Sequence, residues 1–268
     1  MKKLLNSLLP LVPGALAFWL FFSPPEVLTQ SLGPWTFPAS LLFVAIFLVA
    51  WLYVILLRGF PRTVKVATAD LDSVDAHMKA IIAELEQLGF RALEGPLAVG
   101  SPPATLVGLI APDGLCYANV FRTGTVPAKT AWDFTSTIDL VPAPGYSFGG
   151  LTSGSLRSQG TMTTGPGHFK QIFPGAGIAA VYEHHQAAVA HLTQQRIPVR
   201  RAYPASYPSE VKTALEEQRK TLMAPPFLEP FRFIVRTALG TCPFVGPIAE
   251  QPAARTKMER LAKLARTS

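Results

Sequence analysis

The hydrophobic positions of the chain are concentrated first in two long uncharged stretches, residues 4–22 and 37–57. At ~1.5 Å rise per residue, a helix of either length would match the ~30 Å hydrocarbon core of a bilayer. The pattern therefore predicts an N-terminal two-helix transmembrane hairpin, with a first domain at 1–60. Tryptophans are typical of membrane interfaces, and the predicted membrane-interface residues are Trp19, Trp35 and Trp51.

The charges that flank these stretches predict a membrane topology. Lys2 and Lys3 precede the first stretch, and Arg58 follows the second. Because basic residues are retained on the cytoplasmic side, we expect a two-pass protein of the inner (cytoplasmic) membrane with both termini in the cytoplasm. A cleaved signal peptide ending near Ala15–Ala17 is the alternative. An uncleaved helix is favoured because the apolar run continues to Phe22.

From residue 63 onward, apolar residues alternate or recur at helical spacing. Alternation predicts strands at 63–71 and 131–140, and a hairpin of 104–110 with 115–121 around Asp113-Gly114. The pattern also favours a short strand near 161–164. Apolar stripes predict helices: one starting at Val74 after Asp72 or Ser73 as N-cap and ending at Gly89, one from 177 to 192, one from 208 to 222, and a basic one at 252–265.

Together these elements predict a membrane-anchored α+β fold, in which the hairpin precedes an antiparallel sheet with packed helices and a helical C-terminal region. The predicted domains after the hairpin are a cytoplasmic α+β domain at 63–200 and a basic helical C-terminal region at 201–268. Two cysteines, Cys116 and Cys242, are too few for a disulfide framework and favour a reducing compartment.

The net charge of +7 is carried by the C-terminal part of the chain. Residues 1–195 hold eleven Lys/Arg and eleven Asp/Glu, whereas residues 196–268 hold thirteen and six. This imbalance predicts contact with an anionic lipid or an acidic protein surface, and a solvated helical face is the alternative. Nucleic acid is not expected, because no nucleic-acid-binding motif accompanies the charge. The predicted contact residues are Phe231, Arg232, Arg236, Arg255, Lys257, Arg260, Lys263 and Arg266.

Candidate catalytic and metal-binding residues do not form a recognisable motif. His184 and His191 share a helical face, but they are ~10 Å apart along it, too far for one metal ion. His168 could join Asp133 or Asp139 and a serine in a triad, yet no Gly-x-Ser-x-Gly motif supports it. We therefore expect no catalytic residues, no bound metal and no cofactor.

The sequence favours a non-enzymatic accessory or structural subunit of a larger bacterial membrane protein complex. The predicted partner is an integral membrane protein complex, with an energy-transducing or photosynthetic assembly as one host, and the domain would cap its cytoplasmic face. The alternative is a membrane-tethered ligand-binding or hydrolytic domain that uses the Gly/Ser/Thr-rich stretch 145–170, whose backbone amides could hold a phosphate. A third interpretation is a lone anchored domain that binds lipid.

Overall fold

The computed structural model describes residues 33–35, 38, 41–42, 65–99, 104–122, 130–156, 165–223 and 246–267. The chain divides into two compact units, Met1–Phe60 and Pro61–Ser268. In the first unit the described residues include a short 3-10 turn, Gly33–Trp35. The second unit contains the sheet and helices described below.

Four α-helices and eight strands make up the described part of the second unit. The helices are α1 (Ala76–Gln87), α2 (Ile178–Gln194), α3 (Tyr207–Met223) and α4 (Pro252–Thr267). The strands are β1 (Val66–Thr68), β2 (Arg91–Ala92), β3 (Leu97–Val99), β4 (Ala104–Ile110), β5 (Tyr117–Arg122), β6 (Thr130–Ile138), β7 (Gly149–Gly154) and β8 (His168–Ile172).

The strands form one mixed sheet in the order β1-β3-β4-β5-β6-β7-β8, and β2 pairs with β4 beside β3. The pairs from β1 to β7 are antiparallel, as in the β4–β5 hairpin, where Ile110 lies opposite Tyr117. Strands β7 and β8 are parallel, with Gly150 opposite His168. The prediction of a purely antiparallel sheet is therefore wrong, because β8 returns to the sheet in the same direction as β7.

The sheet has helices on both faces. On one face, α1 and α2 pack on β4, β5 and β6 in a cluster that includes Met78, Leu85 and Phe134. On the same face, the end of α2 and the apolar side of α4 meet β7 and β8 in a second cluster. Helix α3 lies on the other face, where Tyr207 packs with Tyr117 of β5. Alternation along the strands directs side chains to these two layers.

The N-terminus of α1 differs from its prediction. Asp72 and Ser73 lie in a 3-10 turn, Leu71–Ser73, and the N-cap is Asp75. Its carboxylate accepts a hydrogen bond from the Met78 N–H at 2.8 Å, which satisfies one of the helix's free amides. The helix consequently begins at Ala76 and not at Val74.

The predicted membrane anchor is wrong: within the described ranges, no helix is long and apolar enough to cross a membrane. A span needs about 20 predominantly apolar residues, whereas α2 and α3 have 17 residues each and carry charged side chains. This finding corrects the transmembrane-helix prediction and the two-pass inner-membrane localisation derived from it. The stretches 4–22 and 37–57 lie outside the described residues except for Pro38, Leu41 and Leu42.

Gly108 of β4 is required because the ring of Tyr207 lies directly above it. A Cβ at this position would be 2.3 Å from Cζ of Tyr207. The ring is buried and its hydroxyl donates to Oδ1 of Asn119 at 2.8 Å, so it cannot easily move. We expect Gly108→Ala to lower the free energy of unfolding by about 1–3 kcal/mol, measured by urea denaturation.

A double-mutant cycle with Tyr207→Ala separates this clash from the general effect of a strand glycine. In the Tyr207→Ala background the Cβ has room, so Gly108→Ala should cost little there. An equal cost in both backgrounds would show that the close approach of Tyr207 is not the cause.

Candidate functional site

Four polar side chains meet in the interior between the sheet and α2. Ser136 belongs to β6, Ser153 to β7, Gln171 to β8 and His185 to α2, and none of them is more than 1% exposed. Buried polar groups are tolerated when their hydrogen bonds are satisfied. The hydrogen bonds of this group decide whether it is a reactive centre or a structural one.

The hydrogen bonds of this buried cluster run in one direction. Gln171 donates from Nε2 to Ser153 Oγ (2.8 Å), and Ser153 Oγ lies 2.7 Å from Nδ1 of His185. Nε2 of His185 lies 2.8 Å from Ser136 Oγ, which donates to the Leu115 carbonyl at 2.7 Å. Because each hydroxyl has one hydrogen, Ser153 donates to Nδ1, and the imidazole carries its proton on Nε2 and donates to Ser136.

Gln171 closes the cluster at its other end. Its second Nε2 hydrogen goes to the His184 carbonyl at 3.1 Å, and its Oε1 accepts from the Ile248 N–H at 3.2 Å. Burial lowers the pKa of His185 to about 3, so the ring is neutral at pH 7. The cluster thus joins β6, β7, β8, α2 and the segment before α4 through satisfied bonds.

Ser153 and His185 have the separation of a nucleophile and its general base. Two features oppose that use. Ser153 is fully buried, so a substrate cannot reach its hydroxyl. The far nitrogen of His185 meets a serine hydroxyl and not a carboxylate, so nothing stabilises an imidazolium. The chemistry that this arrangement supports is structural: it connects β6, β7, β8, α2 and the segment before α4.

The triad considered from the sequence is not assembled. Asp133 accepts hydrogen bonds from Asn119 (2.8 Å) and Thr135 (3.3 Å), and burial raises its pKa to about 6. Asp139 forms an ion pair with Arg200 at 2.5 Å. His168, whose pKa is lowered to about 4 by burial and then by Lys257 and Lys170, has a buried Nδ1 with no hydrogen-bond partner.

His184 and Cys116 have packing roles. The ring of His184 stacks on Phe173 with centroids 4.1 Å apart. Cys116 is buried, and burial and then Asp113 raise the pKa of its thiol well above the usual range, which makes it unreactive. No group of three or more His, Cys, Asp or Glu side chains in the described ranges could hold a metal ion.

Most of the predicted contact residues on α4 face outward. Ala254, Met258 and Leu261 bury one side of the helix against the sheet. Arg255, Arg260, Lys263 and Arg266 are exposed, and we call these four residues the basic face of α4. Arg255 pairs with Glu259 at 3.5 Å, and both side chains remain exposed. The basic face therefore offers cations to a partner without unfolding the helix.

Lys257 lies differently from the other predicted contact residues. Its ammonium donates to the carbonyls of His168 (2.6 Å) and Gly165 (3.1 Å) and lies 5.6 Å from the centre of the Phe169 ring. Burial lowers its pKa. The Lys257 side chain thus connects α4 to the start of β8.

The other predicted contact and interface residues are largely outside the described ranges. Phe231, Arg232 and Arg236 lie there, as do Trp19 and Trp51. Trp35 is described, and it is 70% exposed. The contacts proposed for these residues stay predictions.

Sequence reasoning missed the roles of Ser136, Ser153 and Gln171. One signal was present: Ser136 lies in the alternation of β6 on the same side as Phe134 and Ile138, where an apolar residue is expected. A second was His185, which occupies the apolar stripe of α2. Two polar residues at core positions on different elements indicate a buried hydrogen bond between them.

Comparison with other proteins identified no relative of this chain. No protein-family model, no curated protein and no solved structure matches the chain.

Proposed function

We propose that this protein is a non-enzymatic accessory subunit of a larger protein complex, and that the basic face of α4 binds an acidic surface of a partner protein. The observation that carries the proposal is the division of α4 into two sides. Its apolar side packs against the rest of the domain, and its basic side is exposed. A helix held rigidly in this way presents its cations without the cost of ordering its backbone when it binds.

The charge of the basic face supports an anionic partner. Arg260, Lys263 and Arg266 follow one another at three-residue spacing and form no ion pair within the part of the chain that the structure describes. Glu259 is the acidic residue that shares the exposed surface of α4, and it already pairs with Arg255. Three cations are therefore available for a complementary surface, which would accelerate association and fix its orientation.

An acidic protein is favoured over an anionic membrane. A helix that lies in a membrane interface inserts an apolar face beside its basic one, but the apolar face of α4 is buried against the sheet. Three of the four cations are arginines, whose planar guanidinium can form paired hydrogen bonds with a carboxylate. These features support recognition of Asp and Glu side chains.

Charge reversal of the basic face should abolish binding to an acidic polypeptide. We expect full-length protein to bind immobilised poly-L-glutamate, and Arg260→Glu/Lys263→Glu/Arg266→Glu to weaken that binding about tenfold or more at low salt. Binding of the unmodified protein should fall as salt shortens the range of the interaction. Biolayer interferometry over a salt series measures both effects.

A matched control reverses three exposed cations on other elements: Lys79→Glu/Arg91→Glu/Lys212→Glu. It changes the net charge equally and should retain most of the binding. In extracts of the source cells, the tagged chain should elute with a heavy assembly, which the α4 variant leaves and the control does not. Equal loss in the two variants would contradict the proposal, as would tight binding to phosphatidylserine-containing vesicles without binding to poly-L-glutamate.

A further inference from the structure

A cavity of about 320 Å³ lies between the β4–β5 turn and the middle of α2, independent of the basic face of α4. Leu115 and Cys116 line it from the turn, and His185 and Val189 line it from the helix. Asp113 and Thr193 also line it. Its volume falls within the range of small-molecule sites, ~300–1,000 Å³.

Apart from Asp113 and Gln186, which are both exposed, the polar side chains that line this cavity offer no free partner. Both ring nitrogens of His185 are already hydrogen-bonded to serines. The Cys116 thiol is protonated, since burial and Asp113 raise its pKa. The hydroxyl of Thr193 donates back to the Val189 carbonyl at 2.9 Å. Such walls favour the apolar body of a ligand, because a polar group placed there would lose its hydrogen bonds to water.

Asp113 gives the cavity one negative charge. Its Oδ1 accepts a hydrogen bond from the Leu115 N–H at 2.9 Å, which fixes the carboxylate at the turn. It forms no ion pair in the described ranges. Burial, then Cys116 and Asp113, raise the pKa of Tyr182 on α2. Arg201 lies beside Gly114, with Nε 3.4 Å from where a Cβ would be, but it does not line the cavity.

We propose that this cavity is a binding site for a small cationic amine with an apolar or aromatic body, whose ammonium group pairs with Asp113. The apolar part of the ligand packs against Leu115, Cys116 and Val189. The carboxylate supplies the polar contact that orients the ligand, as is usual for small-molecule sites. A negatively charged ligand of the same shape is disfavoured by repulsion from this carboxylate.

Three probes of the same shape test the proposal: 2-phenylethylamine, 2-phenylethanol and phenylacetate. Isothermal titration calorimetry with the full-length protein at pH 7 should rank them in that order. The amine should bind about two- to fivefold more tightly than the alcohol, since Asp113 is exposed and water screens its pairing with the ammonium group. Equal affinities for the three, or no binding of the amine at millimolar concentration, would overturn the proposal.

Two substitutions locate the site. Asp113→Asn keeps the acceptor for the Leu115 N–H but removes the charge, so it should abolish the preference for the amine over the alcohol. Ala190 lines the cavity and is exposed, so Ala190→Phe should fill it and weaken every probe. The matched control is Ala187→Phe, also exposed on α2 but outside the cavity, and it should leave the affinities unchanged. An Asp113→Asn variant that keeps the preference, or equal losses in the two phenylalanine variants, would contradict the assignment.

Discussion

Replacing Phe134 with alanine is expected to lower the free energy of unfolding by about 3–5 kcal/mol, the usual cost of truncating a buried phenylalanine. Phe134 lies on β6 and is fully buried. Its ring centroid is 5.2 Å from that of Tyr182, 5.6 Å from Phe90 and 5.7 Å from Trp132. Truncation would leave a cavity among these rings, which the sheet beneath them cannot close.

Urea denaturation followed by circular dichroism measures the effect of Phe134→Ala. The matched surface control is Tyr203→Ala, because the Tyr203 side chain is 57% exposed and surface substitutions usually change stability by less than about 0.5 kcal/mol. Since ~3 kcal/mol is a large part of the stability of a typical domain, a visible fraction of the variant should be unfolded at low denaturant. A cost near that of the control would mean that Phe134 is not central to the core.

Local patterns predicted most of the helices and the central hairpin. The apolar stripe of α2 and the Asp113-Gly114 turn depend on residues close in sequence, so the sequence alone predicted them. The N-cap of α1 was missed because three residues, Asp72, Ser73 and Asp75, can all accept a backbone N–H, and the choice depends on the 3-10 turn before the helix.

Local sequence patterns could not predict the parallel pairing of β7 and β8 or the buried polar cluster. A parallel pair is defined by the path of the connection between Gly154 and His168, which leaves no periodic signal in either strand. The four side chains of the cluster are separated by up to 49 positions, as in the bond between Ser136 and His185, and Gln171 accepts from Ile248, 77 positions away. The sequence places Ser136 and His185 at core positions as polar residues, but it does not identify their partners.

The protein is expected to lose stability as the pH falls from 6 to 4, and the loss is caused by the buried His185 and the half-buried His168. Burial lowers the pKa of His185 to about 3 and that of His168, which Lys257 and Lys170 lower further, to about 4. In the unfolded chain both titrate near their usual ~6.5. Between these values the unfolded state binds more protons than the folded state, so the free energy of unfolding rises with pH and falls on acidification.

Asp133 opposes this trend over the same range. Burial raises its pKa from 3.8 to about 6, against the effect of its hydrogen bonds from Asn119 and Thr135 and of Lys170. Between pH 4 and 6 the folded state therefore holds one proton that the unfolded state lacks. The unfolded state gains about two protons at the histidines, and the folded state gains about one at Asp133. The unfolded state therefore binds about one proton more than the folded state. The free energy of unfolding should fall by roughly 1.4 kcal/mol per pH unit, a few kcal/mol over the range.

Two substitutions should change this slope in opposite directions. In His185→Asn, the remaining effects of His168 and Asp133 nearly cancel, so the free energy of unfolding should be almost constant from pH 6 to 4. In Asp133→Asn the opposing proton is removed, so the slope should approach two protons. His77→Asn is the matched control, because His77 is exposed on α1, and it should keep the original slope. Urea denaturation at half-unit pH intervals measures the slopes. An unchanged slope in His185→Asn would show that acid unfolding does not act through the buried imidazole.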